Sequence, residues 1–180
     1  MILDVRKIKD EVLFKKCSTV LDTEFGPELE KLLSDMLETM YASRGAGLAA
    51  PQIGETKRIL VADLGHASGE EYGTRSIKMV NPVLVEKSDN LTNAEEGCLS
   101  YPGLPTWVVR SEDITISYQD VMGQHITNSF SGLEARIIQH EMDHLDGITL
   151  FSRSSNFKKS NYLKKVNKVI AKYHESVARL

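Results

Sequence analysis

The sequence predicts a single domain of the α+β class that covers residues 1–180. Its length of 180 residues, with 41% hydrophobic and 26% charged residues, is that of a globular protein with its own core. One helical pattern lies near the start of the chain, several strand-like segments fill the middle, and two further helical patterns follow. Strands and helices that are segregated along the chain in this way are typical of the α+β class.

The first helix is predicted from Pro27 to about Tyr41. Pro27 follows Gly26 and suits the first position of a helix, where its missing N–H is not needed. Apolar residues then recur at helical spacing and indicate a face that packs in the core. These residues are Leu29, Leu32, Leu33, Met36, Leu37 and Met40.

A glycine-containing segment, R-G-A-G-L-A-A-P-Q at residues 44–52, follows this helix directly. Its two glycines allow a ligand or another backbone segment to approach closely, and a tight turn is an equally compatible interpretation. The segment has none of the phosphate-binding patterns. Gln52, at its end, offers both a hydrogen-bond donor and an acceptor.

Strands are predicted from apolar and β-branched composition, with polar loops between them. The Asn81-Pro82 pair in the second strand indicates an edge or a bulge. Loops are expected at residues 65–75 and 88–94, and the fourth and fifth strands form a hairpin candidate. The predicted strands are Lys57–Leu64, Ile77–Val85, Trp107–Val109, Asp113–Tyr118, Gln124–Phe130 and a short one at Ile148–Phe151.

The strongest chemical signal is the pattern H-E-x-x-H at residues 140–144. We predict it on a helix that has Ser131 as N-cap, a capping box with Glu134, and Gly147 just beyond the C-terminal end. On such a helix the two histidines lie one turn apart and can hold one divalent metal ion. The glutamate between them can act as a base toward a metal-bound water.

The third metal ligand decides the kind of site, since a catalytic metal normally has three protein ligands and one open position. Cys98 would give a Cys/His/His site, whereas Glu175 would give the His/His/Glu site of a zincin-like metallopeptidase. Cys98 is favoured modestly, because Gly97 leaves the backbone beside it open and a loop broken by proline and glycine follows. A non-catalytic structural metal domain is a further alternative, in which Glu141 would have no role.

Three segments together resemble the signature motifs of the peptide deformylases. They are G-A-G-L-A-A-P-Q at residues 45–52, E-G-C-L-S at 96–100 and H-E-M-D-H-L-D-G at 140–147, in the family's order and with similar separations. Their combination is highly specific, although each alone could recur by chance. The resemblance covers about residues 1–150. It implies antiparallel strands packed around a central metal-binding helix, and removal of the formyl group from N-formylmethionine of nascent bacterial chains.

The resemblance also implies which residues hold the metal. Cys98, His140 and His144 match the family's ligands, with ferrous iron as the usual ion. Zinc, nickel or cobalt can replace iron in preparations.

Further residues match the catalytic and substrate-binding groups of the family. Glu141 matches the general base and acid, and Gln52 and the backbone N–H of Leu99 match the groups that stabilise the developing oxyanion. Gly47 matches the glycine whose backbone holds the substrate strand. Gly97, where the backbone is open to approach, is the second expected substrate contact.

Two positions depart from the family's pattern. Many members carry an arginine at a position that we place near Pro105, while Arg110 matches a second arginine. The segment 7–10, K-I-K-D, lacks the proline common there. Neither departure lies in the three motifs that match the metal-binding and catalytic residues. The first leaves open how the peptide beyond methionine is held.

The charge of the chain is concentrated toward its C-terminus. Residues 151–180 hold eight basic residues and one acidic residue, a net +7, which leaves −10 on residues 1–150. We predict an amphipathic helix at about 161–178, whose apolar face has helical spacing. A helix docked on the domain is the simpler interpretation, and contact with ribosomal RNA phosphates is the sharper one. The predicted apolar face consists of Leu163, Val166, Ile170, Tyr173 and Val177.

Two cysteines, Cys17 and Cys98, do not indicate a disulfide framework. The first ten residues lack the uninterrupted apolar run of a signal peptide, and no apolar run approaches the ~18 residues of a membrane span. We therefore expect a cytoplasmic protein with reduced thiols. Its expected partners are formylmethionyl nascent peptides and, through the basic helix, the ribosome, with no membrane or DNA partner.

Overall fold

The computed structural model describes residues 1–67, 71 and 73–177, without the side chains of 66–67 and 173–177. Its strands are β1 (Gly47–Ala49), β2 (Ile59–Asp63), β3 (Ser76–Lys87), β4 (Leu91–Glu96), β5 (Thr106–Ser111), β6 (Asp113–Gln119) and β7 (His125–Ser131). Its α-helices are α1 (Pro27–Ala42), α2 (Leu64–Ala67), α3 (Gly132–Leu145), α4 (Leu150–Arg153) and α5 (Asn156–Val177). Short 3₁₀ helices lie at Glu11–Phe14, Asp22–Glu24 and Ala50–Ile53.

An antiparallel sheet of five strands, in the order β1-β2-β3-β6-β7, forms the centre of the fold, and β4 and β5 pair separately. Both faces of β2 are covered, which explains its continuous apolar sequence. Leu60 and Ala62 pack in the cluster that contains α3, whereas Ile59 and Val61 pack in the cluster that contains α1. The sheet therefore lies between these two helices, and the predicted α+β class is confirmed.

The bulge predicted in the second strand is present in β3. Its register with β6 shifts between Val80 and Val83. Asn81 has a φ of 52°, and its side chain accepts from the N–H of Val20 and donates to Gln119 Oε1, each at 2.8 Å. These hydrogen bonds stabilise a backbone conformation that most side chains avoid.

The helix α3 begins and ends where the sequence predicts, but the predicted capping box is wrong. Ser131 makes no side-chain capping bond and still belongs to β7. Gly132, with a φ of 56°, turns the chain into the helix, while Glu134 forms an ion pair with Arg75 at 2.8 Å. At the other end Gly147 has a φ of 72°, as a residue just past a helix should.

Several short elements differ from the prediction. The strands β1 and β4 lie in segments predicted as a turn and a polar loop. The strand predicted at 148–151 is wrong, because Thr149 caps a helical turn there by accepting from the Ser152 N–H at 3.2 Å. The loop predicted at 65–75 includes part of α2, and its residues 68–70 and 72 lie outside the described residues.

The C-terminal helix α5 begins earlier than predicted, and its packed face is shifted. Val166 and Ile170 pack on the domain as predicted, together with Tyr162 and Val169. Tyr162 and Val166 are buried beside Leu104, whereas Leu163 is 51% exposed. The predicted packing of Leu163 is therefore wrong, and the side chains of Tyr173 and Val177 lie outside the described residues. None of the helices in the described part of the chain has the length and apolar character needed to cross a bilayer. That residues 1–180 form a single domain stays a prediction.

Replacing Gly147 by alanine should destabilise the protein. A Cβ at this left-handed position would lie 2.5 Å from the carbonyl oxygen of Phe14, a backbone atom that cannot rotate away. We expect a loss of about 2 kcal/mol or more in the free energy of unfolding, measured by urea denaturation. Gly123→Ala is the matched control, because its φ is 79° but the nearest atom, of Phe25, is 3.5 Å away. Equal losses in the two variants would contradict a contribution from the Phe14 contact.

Candidate active site

The structure brings Cys98 together with both histidines of the H-E-x-x-H pattern. The thiol sulfur and one ring nitrogen of each histidine lie within 4.8 Å of one another. Cys98 Sγ is 3.2 Å from His144 Nε2, and the two imidazole rings are 5.1 Å apart between centroids. The opposite face of α3 packs in the core, whereas His140 and Glu141 line a cleft. The alternative ligand, Glu175, has a side chain outside the described residues.

This group of donors fits a divalent transition metal. One thiolate and two imidazoles are ligands typical of zinc, iron, cobalt and nickel. Two ligand atoms on one tetrahedral ion of this kind are about 3.5 Å apart, close to the sulfur–nitrogen distance found here. Three ligands also leave one coordination position for water or substrate, as in catalytic sites.

A buried carboxylate orients the first histidine. His140 Nδ1 lies 2.9 Å from Glu96 Oε2 and donates to it, which leaves Nε2 available for the metal. Glu96 also accepts two hydrogen bonds from Arg110, at 2.6 and 2.8 Å, and one from Arg136 at 2.7 Å. Burial alone would raise the pKa of Glu96, but Arg110 and His140 outweigh it and hold the pKa well below its usual range.

Sequence reasoning misses this network. In the sequence analysis Glu96 appears only as part of a motif, and Arg136 does not appear at all. Two signals are present: Glu96 stands two residues before Cys98, and Arg136 lies one helical turn before His140. What the sequence could not provide is the pairing of β4 with β5, which carries Arg110 to the same carboxylate.

Glu141 is buried beside the metal ligands and touches the glycine-containing segment. Burial raises the pKa of Glu141 to about 7, with His140 and Arg110 acting in the opposite direction. Its Oε2 atom has no hydrogen-bond partner among the described residues. A Cβ at Gly47 would collide with this carboxylate, so only glycine allows β1 to approach α3 here.

Gln52 and Leu99 both lie next to Cys98. Gln52 is buried, and its Oε1 accepts from the N–H of Ala49 at 2.7 Å. This bond directs the amide nitrogen toward the ligands, and Nε2 lies 3.5 Å from Cys98 Sγ. The carbonyl oxygen of Leu99 accepts from Lys7 Nζ at 2.9 Å, and burial lowers the pKa of this lysine to about 8.

A cavity of about 400 Å³ opens onto these groups. Residues 44–47 form one wall, residues 95–99 form the other, and Leu133 and Ile137 of α3 supply apolar surface. Gly47 lies against the Glu141 carboxylate, whereas a Cβ on Gly97 would meet open space. Because Cys98 and His140 also line this cavity, a molecule bound in it would lie against two of the metal ligands.

The two positions that were compared with the family's arginines, Pro105 and Arg110, lie away from this cavity. Arg110 is buried in the Glu96 network and also donates to Asp143 at 2.9 Å. The carbonyl oxygen of Pro105 accepts from Lys158 of α5 at 3.0 Å. Neither residue lines the cleft, so a substrate beyond its first residue would have to be held by other groups.

Comparisons with known proteins agree with this geometry. Residues 2–160 match the sequence model of the polypeptide deformylase family. A peptide deformylase of Thermodesulfovibrio yellowstonii is 42% identical over 164 residues, covering 91% of this chain and 96% of that protein. One of Natranaerobius thermophilus is 43% identical over 153 residues, covering 85% and 92%.

Solved structures give the same result. A peptide deformylase from Legionella pneumophila has a TM-score of 0.84 at 34% identity and covers 100% of this chain and 99% of its own. One from Synechococcus elongatus, in complex with actinonin, has a TM-score of 0.82 at 36% identity, covering 92% and 88%. With its Cys/His/His group and its α+β fold, the chain belongs to the polypeptide deformylase family, the metal-dependent hydrolases that remove the N-formyl group from nascent peptides.

Proposed function

We propose that this chain deformylates N-formylmethionyl peptides with one carboxylate and two hydrogen-bond donors placed beside a thiolate-ligated metal ion. Cys98, His140 and His144 would hold the ion. When bound, a divalent ion supplies a water of lowered pKa and polarises the formyl oxygen. The observation that best supports the proposal is the position of the Glu141 carboxylate. It is buried next to the ligands, and its Oε2 atom has no hydrogen-bond partner among the described residues.

Glu141 acts as the proton shuttle. It takes a proton from the attacking water and gives it to the leaving amine as the C–N bond of the formamide breaks, so that formate and a free amino group result. The contact with Gly47 holds the carboxylate at the end of the cleft, where the formyl group would arrive. A purely structural metal site, one of the alternatives from the sequence, would need no carboxylate there.

Gln52 and the backbone N–H of Leu99 stabilise the oxyanion that develops on the formyl group. The bond from the Ala49 N–H fixes the Gln52 amide before substrate binds, so little reorganisation is needed during the reaction. Donors aimed at a developing oxyanion contribute about 3 kcal/mol each in comparable enzymes. Two such donors would therefore supply a large share of the rate enhancement.

The glycines of the two walls hold the peptide. An extended substrate that lies between residues 44–47 and 95–99 can pair with backbone groups on either side, as in strand addition. Neither Gly47 nor Gly97 adds a side chain to this path. The methionine side chain fits the apolar surface formed by Leu133 and Ile137.

Replacing Glu141 by glutamine should lower kcat by ~10²-fold or more, because the amide cannot accept the water proton. Formate release from a formyl-Met peptide measures the rate, and metal analysis should show a loaded site. Cys98→Ser is the matched control: it should lose most of the metal, because a neutral hydroxyl replaces a thiolate. Normal turnover by metal-loaded Glu141→Gln enzyme would remove Glu141 from the mechanism.

The proposed working ion is ferrous iron, which zinc, nickel or cobalt can replace. Support comes from the family resemblance and from the ligand set, since imidazole and thiolate ligands suit all four ions. The choice of iron has a chemical consequence, because a thiolate beside a ferrous ion is open to oxidation at both the metal and the sulfur.

Enzyme prepared without oxygen should contain iron and should lose activity in air faster than the nickel or zinc form. Activity would be followed during exposure to air, with thiol titration of Cys98 as a second readout. The nickel form serves as control, since its metal does not oxidise under these conditions. Similar lifetimes of all the metal forms would argue against iron as the working ion.

The basic helix α5 is proposed to contact ribosomal RNA near the emerging substrate, which also implies a cytoplasmic location. Its packed face holds it on the domain through Tyr162 and Val166, while the lysines on its other faces are exposed. Lysines presented in this way favour a phosphate surface, particularly on a chain whose remainder is acidic. The exposed lysines in question are Lys164, Lys165, Lys168 and Lys172.

Changing Lys164, Lys168 and Lys172 together to glutamine should reduce co-sedimentation with ribosomes. The salt dependence of binding should also become shallower, by ~0.7–0.9 in logarithmic slope for each phosphate that a lysine no longer neutralises. The matched control changes three exposed lysines outside α5, at positions 15, 16 and 87, to glutamine. This variant has the same net charge as the first. If both triple variants sediment like the unchanged protein, the helix serves only for packing.

A further inference from the structure

The helix α1 ends with an arginine in a position where glycine is usual. Beyond its last residue, the N–H of Gly45 donates to the carbonyl oxygen of Met40, and the N–H of Arg44 donates to that of Tyr41, both at 2.9 Å. This pair of bonds defines a Schellman motif, in which the residue at Arg44 must be left-handed. Its φ is indeed 56°.

A left-handed conformation is unfavourable for a residue with a Cβ, so Arg44 needs an explanation. Among the described residues, Asn81 is the other non-glycine residue with a positive φ, and its side chain makes compensating hydrogen bonds. The Arg44 side chain is exposed and has no hydrogen bond or ion pair within the described part of the chain. Packing and internal bonding therefore do not account for the arginine.

Arg44 stands at the mouth of the substrate cleft. It begins the wall that continues to Gly47, and Gly47 touches the catalytic carboxylate. Three residues of chain span at most about 11 Å, and an extended peptide advances about 3.3 Å per residue. A substrate that starts at the metal ligands would thus pass Arg44 with its second or third residue.

Of the two arginines among the described residues that line the cleft, Arg44 is the accessible one. Arg136 is buried and bonded to Glu96, so its guanidinium is not available to a substrate. Glu95, on the facing wall, is exposed and acidic. A flexible cation at the mouth of the cleft can pair with a carboxylate on the passing peptide.

We propose that Arg44 is a specificity-determining residue that favours substrates with an acidic side chain at the second or third position. This inference rests on the proposed function. The pair would be solvent-exposed, so the expected effect is modest, about two- to five-fold in kcat/KM, and it should shrink as salt is added. It should appear mainly in KM, since the contact lies away from the reacting atoms.

The test compares formyl-Met peptide amides that carry aspartate or asparagine at position two or three. Amidation removes the terminal carboxylate, so the side chain is the sole acidic group. The ratio of kcat/KM for aspartate over asparagine should fall about two- to five-fold in Arg44→Gln at one of these positions. Comparing ratios between enzymes cancels the repulsion from Glu95, which both variants retain.

Three further variants complete the design. Arg44→Lys should keep the ratio, and Lys87→Gln should also keep it, because Lys87 lines a different cleft. Arg44→Gly should lose the preference yet melt at no lower a temperature than the unchanged protein, since glycine suits the left-handed position. An aspartate-to-asparagine ratio that is the same in Arg44→Gln and the unchanged enzyme would overturn the inference. Absence of formate release from every peptide would instead contradict the proposed function.

Discussion

The Glu96 carboxylate is the interaction on which the arrangement of the site depends. It lies at the end of β4 and accepts hydrogen bonds from Arg110 on β5 and from Arg136 and His140 on α3. One buried anion thus joins the two-stranded sheet to the metal-binding helix and sets the ring orientation of a ligand. Removing one member of such a network typically costs about 3–5 kcal/mol, because the remaining charges stay buried without partners. The network therefore couples stability to metal-site geometry.

A second constraint is the close approach of β1 to α3. Because β2 is covered on both faces, α1 and α3 are held at fixed distances from the sheet, and β1 lies at its edge beside the helix. Only a glycine at position 47 leaves room for the Glu141 carboxylate. The same edge then turns into the 3₁₀ helix that presents Gln52. Glu141 and Gln52, which are distant in the sequence, are thus both brought to this edge of the sheet beside Cys98.

The sequence predicted the elements whose signals are local, and it failed where pairing or context decides. Leu/Met spacing predicted α1, and the Asn81-Pro82 pair predicted the bulge, because each reflects the residues' own geometry. The strand β4 was not predicted because its sequence, L-T-N-A-E-E, is largely polar. This segment forms a strand by pairing with β5. The metal ligands were accessible through motifs, whereas the buried carboxylate network needed the tertiary structure.

The helix α5 both packs against the loop at the cleft and carries positive charge, and its role depends on which of the two matters. Tyr162 donates to the carbonyl oxygen of Pro102 at 3.0 Å, and Pro102 both follows the Cys98 motif and lines the cleft. Tyr101 stacks on Phe151 with ring centroids 6.1 Å apart, which fixes the same loop from the other side. Deleting the helix would therefore disturb the wall of the active site as well as remove positive charge. Because the packed and charged faces are distinct, substitution of the exposed lysines alters the charge alone, and it is the change that can distinguish partner binding from structural support.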